Sequence, residues 1–121
     1  MSDLPTLDEF LLQARHRQFP SNSYVYEPGW HHLYLRYGPR IALGRRFEPT
    51  LDLANIEVEA ARCGQGIFTD LVQRLRTTYP DLHIFVENTH NRFGRHLLKM
   101  GFVETSGEFF KSYLLEAACT P

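Results

Sequence analysis

The chain has 121 residues, of which 43% are hydrophobic and 22% charged, and this fits one globular domain spanning residues 1–121. The net charge of -1 gives no general attraction to nucleic acid or to an anionic membrane, so neither is expected as a partner. The two cysteines form no metal-ligand spacing and no disulfide framework. No apolar run approaches the ~20 residues of a membrane span and no secretory signal is visible, so we expect a soluble cytoplasmic protein. The sequence has no H-E-x-x-H or other metal-ligand spacing, so no bound metal is expected.

The first element in chain order is a helix. The segment Thr6-Leu7-Asp8-Glu9 has the S/T-x-x-E pattern of a capping box, and apolar residues follow at helical spacing until Pro20. A short apolar run at 24–26 then precedes three predicted strands. These strands cover 30–37, 40–47 and 51–60, and they are separated by Gly38-Pro39 and by Glu48-Pro49-Thr50.

The second half of the chain changes its hydrophobic period. The turn Gly64-Gln65-Gly66 leads into a helix that begins at Ile67 and ends at Tyr79-Pro80. A short buried strand at 83–86, a helix that ends at Gly101, and a hairpin around Ser106-Gly107 complete the pattern. The order α-β-β-β-α-β-α-β-β predicts an α/β (α+β) fold with a mixed central sheet. The early strands of this sheet are predicted to be antiparallel. The central pair is predicted to be parallel, because the strand-helix-strand unit is a right-handed crossover.

The glycine-rich turn lies between a strand and a helix. Glycines let a ligand approach the backbone, and the start of a helix presents unpaired N–H groups, so such a turn can bind an anion. The turn has neither the Lys-Ser/Thr of a Walker loop nor the order G-x-G-x-x-G. From its residues alone it is either an anion site or a helix-entry turn whose glycines serve only geometry.

Two motifs extend this interpretation. The segment 56–71 resembles the acetyl-CoA motif of the GNAT superfamily of acyl-CoA N-acyltransferases, in which a strand runs without a gap into Q/R-x-x-G-x-G/A. Gly66 matches the central glycine, whereas Cys63 and Phe68 replace the usual residues at the two ends. The later Lys99-Met100-Gly101-Phe102 is similar to the end of the family's next helix. The resemblance covers about residues 50 to 115, and the part before it is shorter than in the full family fold.

The resemblance implies a GNAT-like sheet around the turn, with acetyl-CoA as the acyl donor, and a bacterial or phage source. It also implies that the strand backbone from Ile56 to Val58 holds the pantetheine, while backbone N–H groups of the turn hold the pyrophosphate. The cofactor-binding residues that it implies are Ile56, Val58, Cys63, Gly64, Gln65, Gly66, Ile67, Phe68, His90 and Phe93.

Acyl transfer to an amine needs a group that takes the amine's proton. Asp52 is the first candidate base and Glu57 the second, because histone acetyltransferases of this superfamily carry a glutamate base early on the strand, at the place of Asp52. Regular alternation puts Asp52 on the face of Ile56 and Val58 and Glu57 on the other face, and a bulge would exchange the faces. The alternative for each carboxylate is a solvated position on the strand.

The leaving thiolate needs a proton donor or another source of stabilisation. Leu97 stands at the position of the family's usual tyrosine, so Tyr113 is the candidate acid, with Tyr34 and Tyr37 as alternatives. The adjacent pair His31-His32 is either a base, an acceptor-binding group or an exposed part of a strand.

Two functions remain open. The first is transfer of an acetyl group from acetyl-CoA to an amine of a small molecule, peptide or protein, by direct attack in a ternary complex. The alternative is a catalytically inactive GNAT-fold protein that acts as a binding or effector module through protein–protein contacts, with or without CoA. Phe68, Phe93 and Leu97 favour the alternative, whereas the turn and the strand before it favour catalysis. Trp30 and the tyrosines of the early strands indicate a homodimer or a protein partner.

Overall fold

The computed structural model describes residues 4–17, 21–89, 91–105 and 111–117. In these ranges the helices are α1 (Leu7–His16), α2 (Ile67–Thr78) and α3 (Asn91–Lys99). The strands are β1 (Ser21–Tyr24), β2 (Trp30–Ala42), β3 (Arg45–Val58), β4 (His83–Thr89), β5 (Val103–Thr105) and β6 (Lys111–Leu115). A short 3₁₀ turn at Ala60–Arg62 joins β3 to the glycine-rich turn. The predicted element order is therefore confirmed.

The six strands form one mixed sheet in the order β1-β2-β3-β4-β6-β5. β3 and β4 are parallel, and the other neighbouring pairs are antiparallel. This confirms the predicted mixed α/β architecture with a parallel central pair. β5 and β6 pair as the two arms of the predicted final hairpin, while its predicted turn at Ser106-Gly107 lies outside the described residues.

The predicted breaks in the early strands are wrong. Gly38-Pro39 lies inside β2, where a register shift accommodates a proline that cannot donate to the ladder. The chain reverses instead at Leu43-Gly44, between the paired residues Ala42 and Arg45. Both turn residues have positive φ, 53° and 71°, as in a two-residue type I′ turn.

The predicted strand at 40–47 is consequently divided between the two arms of this long hairpin. The predicted break at 48–50 lies within β3, so one strand replaces two predicted ones. The remaining early strand is β1, which overlaps the predicted run at 24–26 only at Tyr24.

The amino end of α1 has the predicted capping box. The amide of Glu9 donates to Thr6 Oγ1 at 3.2 Å, and the amide of Thr6 donates to Glu9 Oε1 at 3.4 Å. Both bonds satisfy donors that lack an intrahelical partner. The helix ends at His16, and the predicted terminator Pro20 lies outside the described residues.

One face of the sheet carries the main core. Buried residues of α1 and α2, together with Leu97 of α3, pack in one cluster with alternate apolar residues of β2, β3 and β4. The residues of β2, β3 and β4 in this cluster are Trp30, Leu33, Leu35, Leu51, Leu53, Ile84 and Val86, and β6 adds Tyr113 and Leu115. Burial of such a face is the main force that holds helices on a sheet.

The opposite face has a second, smaller cluster. Phe85 of β4 and Leu114 of β6 pack there with Ala42 and Phe47, which lie next to the hairpin turn. Because β4 and β6 follow β3 in the sheet, the end of the β2–β3 hairpin must bend across this face to reach them. The hairpin therefore covers the part of the sheet that the helices leave open.

Among the described helices, none has the length and apolar content that crossing a membrane requires.

Candidate active site

The two parallel strands separate towards their carboxyl ends. β3 and β4 pair over four residues each, and the last described pair is Leu53 with Val86. β3 continues to Val58 while it stays paired with β2, and β4 continues to Thr89. A register shift leaves Ala54 without a partner on β2 and marks a bulge, which bends β3 where the separation begins. A wedge-shaped gap therefore lies between the two strand ends.

A cavity of about 770 Å³ occupies this gap. Ile56 and Val58 of β3 line one side, Val86 lines the other, and Phe68 and Phe93 close the cavity towards the helices. Polar groups line the opposite end: Tyr34, Arg36, Asn55, Glu57 and Glu87. The cavity thus connects the helical side of the sheet with the side that carries the hairpin.

The glycine-rich turn forms the entry to α2. Gly64 and Gly66 have φ values of 80° and 76°, a region that residues with a Cβ rarely adopt. Gly66 is the N-cap residue, and no side chain caps the helix. The N–H groups of the first helical turn lack intrahelical partners, as they do in any α-helix. A Cβ added at either glycine would meet no atom within 4 Å, so the space beside these two residues is open.

A second cavity, of about 460 Å³, lies against this turn. Four residues line both cavities: Val58, Cys63, Phe68 and Phe93. The two cavities therefore adjoin, and we call them together the cleft. The implied cofactor residues that line the cleft are Ile56, Val58, Cys63, Gly64, Gly66, Ile67, Phe68 and Phe93. Gln65 lies beside it, with its amide donating to the carbonyl of Ala61 at 3.3 Å, and His90 lies outside the described residues.

Phe68 takes the place where the GNAT motif has glycine or alanine. Its side chain is only 7% exposed and belongs to the main core. The ring packs edge-on against Phe93, with centroids 4.9 Å apart, and against Trp30 at 6.4 Å. The phenylalanine therefore forms part of the floor of the cleft and anchors it to the core.

The bulge in β3 changes the face on which Asp52 lies. Ile56 is opposite the core residue Leu33, whereas Asp52 is opposite Arg36 and Glu57 is opposite His32. Cross-strand partners share a face, so Asp52 and Glu57 lie together on the side away from the helices. The predicted regular alternation is wrong, and the alternative arrangement with a bulge is confirmed.

Asp52 belongs to a buried charged cluster. The residue is 3% exposed, and its Oδ2 accepts a hydrogen bond of 3.0 Å from Arg40 Nη1. Arg40 Nη2 donates to Glu87 Oε1, also at 3.0 Å, and Arg36 Nη1 lies 3.7 Å from Glu87 Oε2.

The two carboxyl groups of this cluster have opposite pKa shifts. Burial, followed by the nearby Glu87, raises the pKa of Asp52 to about 8, although the guanidinium of Arg40 opposes the shift. The pKa of Glu87 is lowered: its own burial acts against the shift, but hydrogen bonding to Asp52 and the charge of Arg40 outweigh it. The two directions favour a protonated Asp52 beside an ionised Glu87. Glu87 lines the cleft, whereas Asp52 lies behind it.

Glu57 lines the polar end of the cleft directly. Its Oε2 lies 3.5 Å from Nδ1 of His32, and Nε2 of His32 lies 3.0 Å from Oδ1 of Asn55. The carboxylate is 60% exposed, so it has access to solvent as well as to the cleft. Of the two candidate bases, Glu57 is the one that contacts the open space.

The three candidate tyrosines lie in different places. Tyr113 is 3% exposed, sits in the main core with its hydroxyl against Gly94, and does not line the cleft. Tyr37 packs against the main core, beside Arg15 of α1. Tyr34 lines the cleft, with its ring 4.8 Å from that of Tyr24. Only Tyr34 of the three therefore borders the candidate site.

Sequence reasoning missed Glu87 and Asn55. Glu87 follows the buried strand predicted at 83–86, and residues at the carboxyl end of a parallel strand often face a ligand site, so its position was a usable signal. Asn55 gave no such signal, because its orientation depends on the bulge in β3.

The comparisons with known proteins concern structure only. No family model matches the chain, and no curated protein matches its sequence. One similar solved structure is the AtaT Y144F mutant toxin bound to the C-terminus of the antitoxin AtaR and acetyl-CoA, with a TM-score of 0.55 and 17% identity. That match covers 71% of this chain and 57% of the AtaT chain, so the chain spans little more than half of that protein.

The KacTA–DNA complex is also similar, with a TM-score of 0.53 and 17% identity. The match covers 92% of this chain and 76% of that one. At this level of identity the likeness establishes a fold. The mixed α/β sheet with its parallel central pair is a GNAT-like fold.

Proposed function

We propose that residues 1–121 form one acyltransferase domain that uses acetyl-CoA to acetylate an amine, with both substrates bound at once. The main observation behind this proposal is that β3 and β4 separate in front of the amino end of α2. It supplies a cleft through the sheet, with helix N–H donors at one end and titratable side chains at the other. The AtaT structure, which contains acetyl-CoA, supports the same use of the fold.

The residues of the cleft fit this ligand. Open space in front of Gly64 and Gly66 leaves room for a pyrophosphate at the backbone N–H groups of the turn. The part of β3 beyond Leu53 faces the gap without a partner from β4 in the described register, so its backbone is available to the pantetheine. Phe68 and Phe93 provide an apolar floor. Bound acetyl-CoA would supply a thioester whose C–S bond breaks as the acceptor nitrogen forms an amide.

The proposed proton acceptor is Glu57, in preference to Asp52, because its carboxylate lines the cleft. An amine attacks only when it is neutral, and a carboxylate oxygen of Glu57 takes the proton it loses. Tyr34 is the proposed proton donor, since it lines the same end of the cleft. Glu87 and Arg36 give this end a mixed charge, which suits a polar acceptor.

The proposal is tested by calorimetric titration of the purified protein with acetyl-CoA and with CoA. We expect both to bind the wild type and neither to bind Gly66→Asp, because a carboxylate at the helix start repels the pyrophosphate. Gly44→Asp is the matched control: Gly44 also has positive φ, 71°, and open space around a Cβ, but it lies in the hairpin turn.

Loss of binding in both variants would mean that strain at a positive-φ glycine unfolds the protein. No binding by a folded wild type would overturn the proposal.

A second candidate is a binding module without catalysis. The AtaT structure contains a segment of its antitoxin, and KacTA was solved with DNA, so this fold also serves assemblies. The two candidates differ in turnover: an enzyme releases the CoA thiol when acetyl-CoA meets a panel of amines, and a binding module does not.

A further inference from the structure

We propose that His31, His32 and Glu57 form a binding site for a zinc-type divalent cation at the polar end of the cleft. Each of the three side chains offers one ligand atom, and these atoms lie within 4.8 Å of one another. The inference depends on this geometry and not on acetyl transfer. Glu57 takes part in both proposals, so it would accept a proton only in the metal-free protein.

A strand irregularity brings the two histidines together. Neighbouring residues on a regular strand point to opposite faces. Here the register shifts between Trp30, opposite Val58, and His32, opposite Glu57, so that His31 is an extra residue. The two imidazole rings consequently lie with their centroids 5.6 Å apart. A sequence reading with regular alternation separates them, and the cluster was therefore missed.

The spacing of the ligand atoms is close to that of a zinc site. With metal–ligand bonds of about 2.0–2.1 Å in a tetrahedron, neighbouring ligand atoms are about 3.3–3.4 Å apart. Nδ1 of His32 and Oε2 of Glu57 are already 3.5 Å apart. His31 is exposed, so a change of its side-chain torsions can bring its nitrogen to the same distance at little cost.

Asn55 supplies the outer contact that a metal-bound histidine usually has. Its Oδ1 lies 3.0 Å from Nε2 of His32 and can accept that N–H, which leaves the lone pair of Nδ1 facing Glu57. In this arrangement a metal ion between Nδ1 and the carboxylate removes the repulsion between the lone pair and the carboxylate oxygen 3.5 Å away. The nearby nitrogen of His31 gives that ion a third ligand.

The donor set indicates the class of metal. Two imidazole nitrogens and one carboxylate oxygen suit Zn²⁺, whereas Mg²⁺ and Ca²⁺ prefer oxygen ligands alone. Three protein ligands leave a coordination position for water or another molecule. Because Glu57 also lines the cleft, a bound cation would change the charge that an acceptor meets there.

The test is calorimetric titration of the chain, without an affinity tag, with ZnCl₂. The protein used is Cys63→Ser/Cys119→Ser, because thiolates bind zinc themselves. We expect one Zn²⁺ per chain, no binding of Mg²⁺, and loss of Zn²⁺ binding in both His31→Ala and His32→Ala. Asn55→Leu should weaken binding about tenfold, as is common for a second contact of a ligating histidine.

His16→Ala is the matched control, because His16 is an exposed histidine at the end of α1. It should bind Zn²⁺ as the parent protein does. Absence of zinc binding in the parent, or unchanged affinity in the His31→Ala and His32→Ala variants, would overturn the proposal.

Discussion

Leu53 and Val86 are the last described pair of β3 and β4, and Glu87, the next residue of β4, already lines the cleft. Glu87 accepts a hydrogen bond from Arg40, which also donates to Asp52. The buried charged cluster therefore lies where the sheet opens. The separation of β3 and β4 costs backbone hydrogen bonds between them. At the same place, Arg40 of β2 forms side-chain hydrogen bonds to both strands.

The first prediction concerns pH and Asp52. Its pKa is raised from 3.8 to about 8 in the folded protein, so the folded chain keeps a proton that the unfolded chain loses. The stability that a protonated Asp52 contributes is fully present below 3.8, the pKa of Asp52 in the unfolded chain. It is lost as the pH rises to about 8, the pKa in the folded protein. The free energy of unfolding should fall by at most about 1.4 kcal/mol per pH unit in that window.

Asp52→Asn should remove this decline, since an amide mimics the protonated carboxyl without titrating. Urea unfolding at about pH 5 and about pH 8 measures the difference. Glu48→Gln is the control, because Glu48 is an exposed carboxylate of the same strand. An Asp52→Asn variant with the pH dependence of the wild type would show that Asp52 is ionised throughout.

The second prediction concerns Gly94 of α3. A Cβ at this position would lie 2.3 Å from the hydroxyl of Tyr113 and 2.9 Å from the ring carbon that bears it. Alanine in a helix is normally favoured over glycine by about 1 kcal/mol. Gly94→Ala should nevertheless lower the free energy of unfolding by about 1–3 kcal/mol, because both helix and tyrosine are packed in the core.

A double-mutant cycle tests the cause of that loss. Tyr113→Phe removes the closest atom, so Gly94→Ala should be less destabilising in the Tyr113→Phe background. Urea unfolding of the four proteins gives the coupling energy. Additive effects would locate the cost elsewhere, for example in a shift of the whole helix.

Local patterns allowed much of the fold to be predicted. The capping box at Thr6 and Glu9, the glycine-rich turn and the change of hydrophobic period each act within a few residues, and the structure contains all three. The hairpin turn could not be predicted in this way. Leu43 is not a residue typical of type I′ turns. Gly38-Pro39 usually indicates a turn, but here it lies at a bulge within β2.

The polar end of the cleft depends on contacts that are distant in sequence. Asp52 and Glu87 meet because β3 and β4 pair in one register, and a single bulge decides which face Asp52 shares. No local pattern determines either feature, because a shift of one residue in the strand register moves every side chain to the other face of the sheet. Candidate residues could therefore be named from the sequence, but not the choice between Asp52 and Glu57.

The third prediction follows from the hairpin turn. Leu43 has φ of 53°, a conformation that costs a residue with a Cβ about 1–2 kcal/mol and that asparagine tolerates best. Its side chain is 52% exposed, so little packing is lost on substitution. Leu43→Asn should raise the free energy of unfolding by about 1 kcal/mol.

The control for this substitution is Ile41→Asn, at an exposed residue of the same hairpin in strand conformation. Asparagine is unfavourable in strands, so this variant should gain nothing. Equal gains in both variants, by urea unfolding, would attribute the effect to surface polarity and not to the turn.

The last prediction concerns the proposed proton acceptor. Glu57→Gln should lower kcat/KM for an accepted amine by about 100-fold, the lower end of what general bases contribute, and leave CoA binding unchanged. Glu59→Gln is the matched control, since this exposed carboxylate is two residues further along and does not line the cleft. Release of the CoA thiol reports the rate, and calorimetry reports the binding. If Glu57→Gln keeps its rate while Glu87→Gln loses it, the proton goes to the carboxylate that Arg40 holds, and the catalytic end of the cleft lies against β4.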